Sequence, residues 1–410
     1  MKFNKWTVAL AALGVVSLAS AAKAEEQASP VMTALAATTI SGYVDTSAQW
    51  NIGTGNANLP PYKFGGVDKA DGFNLDVIQL RIDKPLDEQD WAAGYRADLW
   101  FGPDANTLGT QSSLSTGASD FAVRQAYVAL RVPVGTGLDF KMGVFDSIVG
   151  YESVEAGNNP NFTRSYGHSI EPQTHTGLLA SYRFCDCFSA AFGIADTVGP
   201  SINERANPPK AESFKAYMGS VALTAPDSWG FLSGSTLYGG IVNGYNGKDS
   251  GALDDDDNPV AYGTQTSYYV GVTMATPVTG LRLGAALDVL KVYAVEGETW
   301  SLGGYASYQA TEKLSLHARV EYLDDNTPLL FGDYLADPED PTSGEPGTNP
   351  RKILSTTGTV QYDLWKNVIS RLELRWDHSL SGRNAFGGTV AGQPDQKNAW
   401  MLAANVIYKF

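Results

Sequence analysis

Three carboxylates and four cations carry most of the chemistry this sequence can offer. Glu152, Glu155 and Glu171 lie in one long connection, 148–173, and Arg81, Arg96, Arg131 and Lys141 sit on alternating segments upstream of it. Acids on a loop opposite a basic wall do not make a catalyst. They set a transverse field across an opening, ordering water and favouring polar solutes over apolar ones. A second set, His317, Arg319, Glu321, Arg371, Glu373, Arg375 and Asp377, alternates in sign along two later segments. Those charges could line another wall of the same opening, but mutual salt bridging that stiffens the wall is the stronger expectation.

Catalytic readings find no constellation. A nucleophile needs a base held within reach, and the four histidines, His168, His175, His317 and His378, adjoin no recognisable serine or acid motif. His168 and His175 flank Glu171, a spacing that polar loops produce by chance. Cys185-Asp186-Cys187 is the only cysteine pair. Residues two apart rarely reach disulfide geometry without strain, and without a second pair the four-ligand zinc pattern is absent. Asp254 to Asp257 reads as a solvated acidic loop rather than a calcium site. No catalytic, cofactor-binding or metal-binding residue is assigned, and no cofactor is expected.

The elements that must position these charges are strands. In Trp400–Phe410, Trp400, Leu402, Ala404, Val406, Tyr408 and Phe410 share one face, and Met401, Ala403, Asn405, Ile407 and Lys409 the other. An apolar face with aromatic ends, opposite a mixed face, suits a strand between lipid and a watery lumen. The same period of two recurs in 91–102, 313–324 and 367–380. Sixteen such segments are expected, near 39–51, 73–84, 91–102, 121–133, 137–147, 174–184, 188–196, 212–225, 231–243, 266–275, 281–293, 299–310, 313–324, 352–364, 367–380 and 398–410. Arg124 breaks the alternation in its segment and marks a bulge.

Short links, such as Val134–Thr136 and Trp365-Lys366, alternate with long ones, such as 52–72, 148–173 and 325–351. That alternation describes an all-β fold: a transmembrane antiparallel β-barrel of about sixteen strands, with short periplasmic turns and long extracellular loops. Closing the sheet satisfies every backbone group within lipid. Barrels of about 16–18 strands leave an aqueous channel rather than filling with side chains.

The flanks fit this plan. Lys2 and Lys5, an apolar run from Trp6 to Leu18 and Ala22-Lys23-Ala24 have the layout of a secretory signal peptide. The expected organisation is a signal at 1–24, a short periplasmic lead-in at 25–38 and a barrel over 39–410. Removing the signal takes away three lysines and no acid, moving the net charge from −15 to −18. Such an acidic balance argues against a nucleic-acid partner. It does not predict ion selectivity, because exposed loops dominate it.

Met142-Gly-Val-Phe145, Gly150-Tyr-Glu152, Asn158-Asn159, Asn161-Phe162, Arg164-Ser-Tyr166, Glu171-Pro172 and His175-Thr-Gly177 together resemble the putative beta-barrel porin-2 family. The specific match runs from about Phe121 to Phe184. It implies an outer-membrane porin and little about the solute; the sixteen-strand width and the length and side-chain density of the 148–173 loop give the expectation of a barrel narrowed by that loop that passes small hydrophilic solutes by diffusion. The implied surroundings are outer-membrane lipid, and a homotrimer is compatible with the resemblance. The rival readings are a surface adhesin or structural barrel with an incidental pore and, less favoured, an outer-membrane barrel enzyme.

Overall fold

The computed structural model describes residues 38–410 except 54, 88–89, 111–118, 207–213, 247–263, 294–296, 328–329 and 332–350. The expected signal, nearly all of the lead-in and the acidic run at 254–257 lie outside the described residues. The strands are β1 (Thr39–Ile52), β2 (Gly72–Lys84), β3 (Ala92–Phe101), β4 (Phe121–Val132), β5 (Leu138–Asp146), β6 (Thr174–Cys185), β7 (Phe188–Ala195) and β8 (Ala216–Thr224). They continue as β9 (Thr236–Tyr245), β10 (Thr264–Ala275), β11 (Leu281–Val292), β12 (Thr299–Gln309), β13 (Leu314–Asp325), β14 (Arg351–Trp365), β15 (Val368–Ser379) and β16 (Asn398–Lys409). Each pairs with its sequence neighbours, and β1 pairs with β16, closing a sixteen-stranded barrel. The seam is sealed where Gly42 N donates to Phe410 O at 2.9 Å and Phe410 N to Gly42 O at 3.0 Å. Closure leaves no edge strand to template other chains.

The expected segments and the observed strands agree to within a few residues, save at β9. It begins at Thr236, because Asp227–Leu232 forms a 3-10 turn where an apolar run suggested strand. Gly234, at φ 77°, then redirects the chain, and its N–H bonds Ala225 O at 3.0 Å. Trp229 and Phe231 in this turn are exposed. They belong to the aromatic belt at the short-turn end with Trp91, Phe184, Trp365 and Tyr408, while Trp50, Phe101, Phe121 and Trp400 mark the long-loop end.

Burial follows the alternation read from sequence. On β16, Met401, Ala403, Asn405 and Ile407 are buried inward, and Trp400, Val406 and Tyr408 are exposed outward. Bulges interrupt the pattern at Asp76 and Arg124. Asp45 and Thr46 of β1 face Val77 and Leu75, and Asp98 and Leu99 of β3 face Gln125 and Val123. In each case one residue is skipped, and both it and its neighbour on the chain turn inward. Asp76 with Val77, and Arg124 with Gln125, are all buried.

The interior is not uniformly polar. Phe145, Ile148 and Val149, where the long loop leaves β5, pack with Ala191, Ala216, Met218 and Val242 of β7–β9 as an apolar core inside the barrel. Gly240 provides the room: a Cβ there would sit 2.7 Å from Val149 Cγ1. Water is thereby displaced from one side of the lumen.

The two-sided character of the strands is testable on β16. Replacing outward Ala404, near the middle of the strand, by arginine should cost about 2–4 kcal/mol of folding stability in lipid, against about 0–1 kcal/mol for Tyr408→Arg at the interface. Denaturant titration in vesicles measures both; equal costs would refute the lipid-facing assignment.

Candidate functional site: a loop across the lumen

The 147–173 segment enters the barrel, and its carboxylates end on the wall arginines in direct contact. Its neck is closed by Ser147 N donating to Gln173 O at 2.9 Å. Glu155 receives Arg81 of β2, Arg96 of β3 at 3.2 Å and Arg124 of β4 at 3.2 Å. Asp98 completes the cluster, 2.7 Å from Arg81 and 2.8 Å from both Arg96 and Arg124. Arg124 also holds Asp146 at 2.5 Å. Burial alone would raise the Glu155 carboxyl, but Arg81, Arg124 and Arg96 outweigh it and hold the group below its usual range.

The loop then crosses to the far wall. Glu152 binds Arg319 of β13 at 2.8 Å and accepts from Ser165 N at 2.8 Å. Arg319 is also 2.7 Å from Glu321, and it donates to Thr163 O at 2.8 Å. Glu321 accepts from Tyr166 N at 2.7 Å. Glu373 of β15 accepts from Phe162 N, Thr163 N and Thr163 Oγ1 at 2.5, 2.9 and 2.6 Å. Arg371 donates to Ala156 O at 3.1 Å and Asn159 O at 2.6 Å. Arg375 pairs with Asp377 at 2.9 Å and donates to Arg164 O at 2.7 Å. Lys409 of β16 reaches Gly157 O at 2.9 Å.

Two other loops fold onto this one from the long-loop side. The Arg375 guanidinium lies between Tyr62 and Tyr166, 4.3 and 5.0 Å from their ring centroids. Lys63 N donates to Ser169 Oγ at 2.9 Å. Asn58 ties the 53–71 loop to the 380–397 loop, donating to Gly387 O at 2.7 Å and accepting from Gly392 N at 2.8 Å.

The third anchor is unusual in its charges. The helical turn Tyr166–Ile170 is capped by Ser165, whose side chain accepts from His168 N, and is followed by Glu171. Tyr151 stacks on Tyr305 of β12, centroids 4.1 Å apart. It lies over Gly284 of β11, where a Cβ would meet its hydroxyl. Beside it, Glu171 is hydrogen-bonded to Asp288 of β11, carboxyl to carboxyl. Two carboxyl groups can bond this way only by sharing a proton. Burial, then the Asp288 charge, push Glu171 well above its usual range. His168, 3.5 Å away, supplies no compensating charge, because burial and then Arg164 depress it well below its ordinary value.

Set against expectation, Arg81 and Arg96 meet Glu155, and Arg319, Glu321, Arg371, Glu373 and Arg375 meet the loop as well as one another. The acids and bases do not oppose each other across open water. Burial makes direct pairing the cheaper arrangement. Arg131 stands apart, paired with Asp139 at 2.6 Å near the short turns. Lys141 lies inward with its ammonium 4.9 Å from the Tyr127 ring. Mutual pairing holds for Arg319–Glu321 and Arg375–Asp377, whereas Arg371 and Glu373 serve the loop backbone. Arg124, noted in the sequence only as a parity fault, is at the centre of the cluster; the bulge was its signal. Cys185 ends β6 and Cys187 lies in the turn that follows it; both are exposed free cysteines.

Below the loop, toward the short turns, lies a cavity of about 510 Å³. Its walls include Tyr151, Glu155, Tyr238, Arg282, His317 and Arg371.

Comparison with known proteins agrees with the barrel fold. The family described as "Putative beta-barrel porin-2, OmpL-like" matches residues 37–410. Among curated protein sequences none matches. Similar solved structures include OmpT of Vibrio cholerae in its trimer form, at 12% identity and TM-score 0.55 over 91% of this chain and 99% of that one. The anion-selective porin of Comamonas acidovorans matches at 13% identity and TM-score 0.55, over 91% and 99% of the two chains. Salmonella typhi OmpF in complex with daunomycin matches at 14% and TM-score 0.56, over 91% and 97%. At such identities the likeness is one of fold.

Two outcomes test the anchors. Glu155→Gln removes one of the two carboxylates that three guanidinium groups share, and loss of one member of a buried ionic cluster costs about 3–5 kcal/mol; a denaturant midpoint unchanged from the native protein would contradict the cluster's role. The Glu171 anchor has the opposite pH sense. An acid raised in the folded state is most stabilising below its unfolded pKa, about 4.3, and that stability is lost as pH rises through the raised value. Amide exchange in Tyr166–Ile170, corrected for its intrinsic pH dependence, should therefore accelerate toward alkaline pH in the native protein and not in Glu171→Gln.

Proposed function

The chain belongs to the putative beta-barrel porin-2, OmpL-like family, and on that premise we propose how its outer-membrane channel works. The barrel is a porin, and the 147–173 loop is the element that narrows it. Solutes pass by diffusion and must be small and hydrophilic, because the loop and its partners present charged and hydrogen-bonding groups where the lumen is most crowded. The observation that carries this reading is the loop's attachment to both walls, through Glu155 on one side and Glu152 on the other.

Several finer points belong to the same proposal. Arg81, Arg96, Arg319, Arg371 and Arg375, with Glu152, Glu155, Glu171, Glu321 and Glu373, act chiefly by fixing the loop's position and thereby the size limit. Arg131 and Lys141 border the lumen nearer the short turns. The short turns face the periplasm, and residues 1–24 act as the export signal. The protein works without enzymatic chemistry and assembles as a homotrimer in outer-membrane lipid, a state supported by the trimer form of a neighbour of like fold.

Liposome swelling with graded neutral sugars, amino acids and organic acids tests the channel. A smooth fall of rate with solute size is the expected result. Liposomes that swell no faster than protein-free ones would refute diffusion, and an electrically silent barrel in a planar bilayer would favour the structural reading.

A further inference from the structure

The cavity below the loop holds a cation that the anchoring network leaves unused. Arg282 sits opposite Ala275 of β10 and Ser307 of β12. It shares the inward face of β11 with Gly284, Ala286 and Asp288, which are all buried. Arg282 itself is exposed, so its side chain meets lumen water. The arginines around the loop are spent on carboxylates or backbone carbonyls, as described above. The Arg282 side chain has no hydrogen bond or ion pair among the described residues.

The cavity's own carboxylates do not compete for it. Asp146 is held by Arg124 at 2.5 Å, Glu152 by Arg319 at 2.8 Å, and Glu155 by three guanidinium groups. Glu171 shares a proton with Asp288. Beside Arg282 the lining includes the Tyr151–Tyr305 stack, Tyr238, and His317, whose Nε2 has no hydrogen-bond partner among the described residues while Nδ1 lies 2.9 Å from Ser307 Oγ.

We infer that this cavity is a subsite for small monocarboxylates, with Arg282 taking the carboxylate and Tyr151, Tyr238 and Tyr305 bordering the organic body. A guanidinium presents two parallel N–H donors that match a carboxylate's two oxygens. One unneutralised cation suits a monoanion, whereas a phosphate dianion would call for more than one. The volume, about 510 Å³, falls within the range of small-molecule sites, about 300–1,000 Å³. The chain's overall charge of −15 does not oppose this, since a focused local cation governs a narrow passage more than distant, screened surface acids do. The site deepens the porin reading and rests on it.

The test uses the whole protein in planar bilayers, with benzoate as probe and neutral benzamide as control. Benzoate should lower open-channel current saturably and benzamide should not. Arg282→Gln, a change at an exposed side chain with no partner to lose, should keep its conductance steps while the half-blocking benzoate concentration rises roughly tenfold or more, the scale of a lost charged hydrogen bond. Arg282→Lys should recover part of the block, keeping the charge and losing the fork. Equal block of native and Arg282→Gln channels, or a native channel indifferent to benzoate, would overturn the site while leaving the porin intact. Absence of conductance steps from the native protein would instead overturn the porin reading and the site with it.

Discussion

A carboxylate carried out of bulk water must meet a cation, a row of N–H donors or a proton. In this barrel all three solutions appear around one loop, the row of N–H donors where Glu373 of β15 accepts from Phe162 and Thr163, and the rest of the interior is arranged around them. Glu155 meets three guanidinium groups on β2, β3 and β4. Glu152 meets Arg319. Glu171 shares a proton with Asp288. The isolated cost of burying a charge is several kcal/mol even after relaxation, so each anchor is all-or-none. The loop either reaches its partner or gives up the burial. That is why a segment with no regular structure beyond two short helical turns, Ala156–Asn158 and Tyr166–Ile170, can be held in a single place.

The wall answers in kind. Glu373 spends its oxygens on the loop's N–H groups, and Arg371 and Arg375 spend donors on its carbonyls. Backbone that would be hydrated in an external loop is thus satisfied by side chains projecting from strands. The apolar root on β7–β9 serves the same end by different physics. It excludes water from the side of the loop that carries no charge, which strengthens the ionic contacts on the other side. The stacking of Tyr62, Arg375 and Tyr166 extends the network outward into a second loop.

Much of this architecture was legible in the chain. Lipid on one side of every strand forces a period of two, so Trp400 to Phe410 and its fellows could be assigned faces without a structure. Alternating link lengths then set the topology. The failures are equally physical. The run from Phe231 looks like strand because interface aromatics mimic a strand's apolar face. Arg124 was legible as an anomaly, but not as the centre of a cluster, because a bulge changes which side of the sheet two adjacent residues occupy. The inward folding of 53–71 and 380–397 left no signal, since amides such as Asn58 serve an exposed loop equally well. Arg282 could have been found by parity alone, opposite Leu281 and Leu283, but a single arginine gives no pattern to notice.

The loop's partners also have a place in time. Thr163 and Tyr166 depend on Glu373, Glu321 and Asp377, which lie 155 to 211 residues further along the chain. Contacts so distant in sequence are slow to form, because a large chain closure precedes any reward. Until β13 and β15 arrive, Glu152 lacks Arg319 and the backbone N–H groups of Phe162, Thr163 and Tyr166 stay unmatched. Seam and constriction must therefore mature together: a nascent barrel still open between β1 and β16 is also one whose gate has not been hung.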